Sequence, residues 1–161
     1  MKKVISVLAA LALTLTLSLS MIVFATDINP KTEVSFTVAP TYTVTIPENI
    51  TLELKKQNDT ITYEKDMTIT AQNVRLRESS KSVSVYLDSS YKLTDTNPKN
   101  TYTLAYTVMA EGTPITDSHT PVAEFTTNPE EQNSTLHFTA NDPTYAGNFK
   151  DIVTFIISIS E

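Results

Sequence analysis

The stretch Tyr102-Thr103-Leu104-Ala105-Tyr106-Thr107-Val108 decides how this chain is read. Tyr102, Leu104, Tyr106 and Val108 fall on every second position, and successive side chains take opposite sides only along a β-strand. An amphipathic helix would instead space its apolar residues three and four apart. Asn97-Pro98-Lys99-Asn100 before the stretch and Glu111-Gly112-Thr113 after it are turn formers. The segment therefore reads as one strand bounded by turns, the second of them a hairpin.

The same period recurs on both sides of it. Upstream, Tyr42, Val44 and Ile46 alternate between Pro40 and Pro47, followed by Ile50, Leu52 and Leu54. A polar stretch over 55–60 separates these from Ile61 and Tyr63, from Met67, Ile69 and Ala71, and from Val74 and Leu76. Val83, Val85 and Leu87 share one face of a further strand. Downstream, the Pro-rich region 114–129 has room for one short edge strand near 122–125, and Leu136 and Phe138 mark another. Asn141-Asp142-Pro143 and Ala146-Gly147-Asn148 read as turns. The last run, 151–160, is apolar on both faces, which predicts a strand buried within the sheet rather than at a solvated edge.

No segment after residue 25 holds a helical apolar stripe, and 27 of the 161 residues are Thr, a β-branched residue that favours strands. The expected fold is all-β, an immunoglobulin-like Greek-key β-sandwich of about seven to nine strands, with an open barrel as the alternative.

Residues 1–25 are expected to form a signal-peptide helix ahead of a single domain over 26–161. Met1-Lys2-Lys3 is a basic start, an apolar run follows to Phe24, and Val23-Phe24-Ala25 supplies a cleavage site. Cutting there makes Thr26 the new N-terminus. Removing Lys2 and Lys3 from the 12 basic residues leaves 10 against 18 acidic ones, a net charge of −8. Such a surface repels phosphate backbones and anionic headgroups, so neither nucleic acid nor, after cleavage, a membrane is an expected partner. The chain has no Cys, which excludes disulfides, thiolate metal sites and Cys nucleophiles. No cofactor and no metal is expected.

Two features invite a resemblance. Tyr42-Thr43-Val44-Thr45-Ile46-Pro47, with Ile50, Leu52 and Leu54 behind it, looks like the opening of small secreted Gram-positive surface proteins. The ending from Tyr145-Ala146-Gly147-Asn148-Phe149 into Phe155-Ile156-Ile157-Ser158-Ile159 resembles the closing strand of WxL-type cell-wall domains and of spore-coat U-type, pilin-like sandwiches. Trp and Cys are both absent, so the WxL motif itself and any disulfide linkage are missing. The resemblance implies a structural or adhesive surface protein with no catalytic residues.

The candidate chemistry is sparse. His137 lies between Leu136 and Phe138, and alternation turns it away from the core they define. Asp117, Ser118 and His119 are sequence neighbours, and adjacent residues cannot supply the separate positions of a catalytic triad. Glu130, Glu131 and Asp142 sit in acidic loops without the ordered ligand spacing that calcium requires. No enzymatic activity is expected. Tyr91, Tyr145 and Phe149 fall at predicted turns, either facing a ligand such as a glycan or capping the core. Glu33–Val38 alternates cleanly, with Val34, Phe36 and Val38 on one face and Pro40 as a break behind it. This segment is either the first strand of the sandwich or an arm exchanged with a neighbour's sheet; the former is the expectation, because most strands pair within their own chain.

Function is accordingly expected to be that of a secreted, extracellular, cell-wall-associated bacterial protein of structural or adhesive type. It would act through protein partners or self-association at sheet edges. The alternative is a monomeric carbohydrate- or protein-binding module that uses loop aromatics.

Overall fold

The computed structural model describes residues 33–78 and 81–159, and these form an all-β sandwich. The predicted signal peptide lies outside the described residues. Eleven strands run in chain order: β1 (Thr41–Thr45), β2 (Glu53–Gln57), β3 (Thr60–Arg75), β4 (Ser82–Asp88), β5 (Lys92–Asp95), β6 (Thr103–Ala110), β7 (Thr113–Ile115), β8 (Pro121–Thr126), β9 (Gln132–Asn141), β10 (Phe149–Lys150) and β11 (Thr154–Ile159). Every pairing is antiparallel.

The larger sheet has the order β1-β3-β9-β6-β5-β10, with β2 also on β3 and β7 also on β6. The smaller sheet has the order β11-β4-β8. The chain crosses between sheets at β3→β4, β4→β5, β7→β8, β8→β9 and β10→β11. Between them the inner faces bury Ile69, Val74, Val83, Val85, Leu87, Val108, Phe125 and Leu136, each almost wholly removed from water.

Local chemistry explains the elements. Asn58 and Asp59, with φ of 48° and 63°, make the two-residue turn joining β2 to β3, and both residue types tolerate that region. Glu111 and Gly112, at 49° and 80°, do the same between β6 and β7, as the sequence predicts. Along β3 the buried positions shift from Met67, Ile69 and Ala71 to Val74. Asn73 takes a φ of 54° at that point, and the register to β1 slips between Thr41 and Thr43. One extra residue in the strand thus returns the apolar set to the core.

Four expectations are corrected. The strand count exceeds the predicted range because short pieces read wholly or partly as loops (β2, β5, β7 and β10) find partners on longer strands. The segments around Tyr63, Ile69 and Val74 are one continuous strand: Glu64, Asp66, Thr68 and Thr70 take the outer sheet face, and Lys65, on the parity of Tyr63 and Met67, pairs its ammonium with Glu53 on β2. The final run does not lie inside a sheet. Among the described residues β11 pairs with β4 alone, and Ile152 and Ile156 stay 86% and 49% exposed. Its second apolar face is the outer face of the smaller sheet, on which no further layer packs among the described residues. Finally, residues 33–38 form no strand with their own sandwich.

Burial ranks the core positions. Leu104 and Phe155 are half-buried, whereas Leu136 and Phe125 are fully buried. Leu136→Ala should therefore destabilise the fold by about 2–5 kcal/mol and Phe125→Ala by about 3–5 kcal/mol. Phe155→Ala should cost clearly less than Phe125→Ala in denaturant unfolding, and an equal cost for the two would contradict the edge position of β11.

Candidate functional site

An open sheet edge exposes a row of unpaired backbone N–H and C=O groups, and proteins normally guard such rows with charge, proline, bulges or shortness. The strands with an open side can be compared on that basis. β1 is five residues long, lies against the bulge in β3 and is closed off by Pro40 and Pro47. β2 carries Glu53, Lys55 and Lys56. β7 is three residues long and contains Pro114, and β8 contains Pro121 and Glu124. β10 is two residues long and ends on Lys150. β11, Thr-Phe-Ile-Ile-Ser-Ile, has six residues, no charge and no proline, and pairs with β4 in unbroken register. Among the described residues it is the edge without a guard.

A polar knot fixes where β11 begins. Asp151 Oδ2 lies 2.8 Å from Ser89 Oγ and 2.8 Å from Tyr106 Oη, and Asp151 Oδ1 accepts from Ser90 Oγ at 3.0 Å. Ser89 Oγ also accepts from the Tyr91 amide at 2.8 Å. The carboxylate thus ties the approach to β11 to the β4–β5 turn and to β6. Burial alone would raise the Asp151 carboxyl, but the hydroxyls of Ser89, Tyr106 and Ser90 together outweigh it and hold the group below the ordinary aspartate range. Burial pushes the Tyr106 phenol well above its ordinary range, and the adjacent Asp151 adds to that.

The second feature is the segment 33–38. Val34 is 89% exposed, Phe36 78% and Val38 47%. These residues are expected as the first strand of their own sandwich, with exchange as the alternative, and among the described residues they have no strand partner. An apolar alternation of this kind in water has no stabilising partner of its own.

The predicted ligand-facing aromatics are not brought together. Tyr91 packs against the core, and its hydroxyl is buried with no hydrogen-bond partner among the described residues. Phe149, on β10, lines a cleft of about 1030 Å³ together with Leu52, Tyr63, Leu104 and Phe138. Tyr145 alone faces solvent, stacked on Tyr102 at 4.3 Å between ring centroids. Sequence reading missed Tyr102 as part of this pair, because its alternation with Leu104 assigned it to the core.

The remaining candidates serve the scaffold. His137 does point outward, and its Nδ1 lies 2.6 Å from Asp66 Oδ1 on the facing strand β3. That hydrogen bond holds the Asp66 carboxyl below its ordinary range. Asp117 Oδ1 accepts from the amides of His119 and Thr120, so its carboxylate closes a turn. Glu131 accepts from the side-chain amides of Gln72 and Asn133. Among the described residues no group of three or more His, Asp or Glu is placed to hold a metal ion.

Comparison of the chain with protein-family models, with curated proteins and with solved structures finds no match.

The knot gives a pH dependence with a definite sign. A carboxyl whose folded value is lowered contributes stability above its unfolded value, and that contribution disappears as pH falls through the folded value. Unfolding temperature should therefore fall below about pH 4. Asp151→Asn should lower it at pH 7 and make the acid decline shallower. An acid decline identical in both proteins would remove Asp151 from this role.

Proposed function

We propose that the protein is a secreted bacterial cell-surface structural or adhesion protein that acts through protein–protein contacts at sheet edges and carries out no catalysis. The observation that carries this reading is the exposed apolar arm Val34, Phe36 and Val38, which among the described residues joins no strand of its own sandwich. Extended segments bind by adding a strand to a sheet, with backbone hydrogen bonds giving affinity and alternate side chains giving specificity. The signal-like segment 1–25 supports an address outside the cell.

A chain beginning at Thr26 should show an average mass that rises with concentration in analytical ultracentrifugation. Since both partners would be acidic, screening by salt should strengthen the association rather than weaken it. A chain beginning at Pro40 should stay monomeric and, at dilutions where the parent is monomeric too, melt close to the parent's temperature, because the arm forms no strand with its own sandwich. A parent chain that is monomeric at all concentrations and salts would end this reading.

A second reading, a monomeric glycan-binding module, is favoured by the exposed stack of Tyr102 and Tyr145, since an aromatic face offers apolar area to a sugar ring at low entropic cost. It requires saturable glycan binding by the parent chain and loss of that binding in Tyr145→Ala. A parent chain that binds no glycan would discard it.

A further inference from the structure

We infer that the open edge of β11 in one copy accepts residues 33–38 of a second copy, so that copies join head to tail. This rests on the reading of the protein as an edge-associating subunit and names the two surfaces that meet.

The argument begins with the edge. β11 is the described edge with no charge, no proline in or beside it and an unbroken register over six residues, and it is backed by apolar side chains. Phe155, Ile157 and Ile159 are half-buried and turned toward the core, while the alternate positions face outward. Their burial is incomplete at the edge, where no further strand continues the inner layer.

The arm has the matching form. It is six residues long, as β11 is, so the two can pair along their whole length. A strand laid beside β11 with Val34, Phe36 and Val38 inward would extend the row of Phe155, Ile157 and Ile159. Ser35 and Thr37 would then face outward. Glu33, at the far end, is the one charge in the pair, so a strand contact forms without opposing charges despite the acidic surface.

A single copy makes no such contact. Residues 33–40 belong to no strand, and Val34 and Phe36 remain largely in water while Val38 is about half exposed. A donor and an acceptor placed on different parts of one molecule make a heterologous interface, which propagates into chains or closes into rings.

The chain has no Cys, so single introduced thiols report the contact directly. A copy carrying Phe36→Cys is mixed under mild oxidation with copies carrying Phe155→Cys, Ile157→Cys or Ile159→Cys. Directly opposed residues on adjacent strands approach closely enough for a disulfide. The three β11 positions cover the unknown register. At least one mixture should yield a mixed disulfide about tenfold above that of Phe36→Cys with Glu124→Cys on β8. A peptide of residues 33–39 should also bind the chain beginning at Pro40 saturably, and its Phe36→Ala form about tenfold more weakly. Equal cross-linking to β8 would overturn the inference, as would a disulfide closed within one monomer carrying both thiols. If association persists but only Ile156→Cys copies link to each other, β11 meets β11. The inference then fails while the reading as an edge-associating subunit stands. If every mixture is monomeric and the peptide does not bind, both fall.

Discussion

The antiparallel ladder between β3 and β9 is the constraint from which the rest of the molecule follows. It runs through consecutive pairs from Thr62 opposite Asn141 to Ala71 opposite Gln132. On one side β3 carries β1 and β2, and on the other β9 carries β6, which in turn carries β5 and β7. The inward residues of this ladder, Met67, Ile69, Leu136 and Phe138, form the floor on which Val83, Val85, Leu87 and Phe125 of the smaller sheet pack. Burying such side chains is worth about 1.5–3 kcal/mol each. The two strands are far apart in sequence, so neither has a stable face before the other arrives.

The two layers are unequal, and that inequality makes the site. The main path of the larger sheet is six strands wide, and the smaller sheet has three. β11 therefore ends its layer with one side open, held in place by the Asp151 knot at its start. The arm and the edge share a single difficulty in the isolated chain. Full burial of Val34, Phe36 and Val38 would give about 5–9 kcal/mol, while fixing six backbone residues costs about 6–12 kcal/mol. Burial alone does not order the arm. It orders where backbone hydrogen bonds, worth about 0.5–1.5 kcal/mol each, add to burial, and an unguarded strand edge supplies both.

Much of the fold was legible in the sequence, and the exceptions have physical reasons. The period-two pattern of Tyr106 and Val108, and of Val83, Val85 and Leu87, reports burial on one face directly, and these residues are in the core. β2 is split by the sequence pattern, with Leu54 closing the alternation of Ile50 and Leu52 and residues 55–57 falling in the polar spacer 55–60, because none of its residues is buried to mark one face. The Asn58-Asp59 turn was the available signal. The bulge at Asn73 disguised one long strand as two by changing the parity of its buried positions. For the site, alternation identified Val34, Phe36 and Val38 as a strand-like unit but could not say whose sheet it would join. Period also misled at β11. Two apolar faces ordinarily mean burial within a sheet, and here they mark an edge whose outer residues remain uncovered. The clustering of Asp151 with Ser89, Ser90 and Tyr106 joins three distant parts of the chain, and nothing in a linear sequence announces it.

The central claim is that β11 and the arm complete one another between copies. Hydrogen–deuterium exchange on a chain beginning at Thr26, followed as a function of protein concentration, addresses it most directly. Amides over 33–38 and over 154–159 should gain protection together as concentration rises, while those of the β8 edge, 121–126, stay unchanged. Fast exchange over 33–38 at every concentration, with β11 protection independent of concentration, would contradict the account.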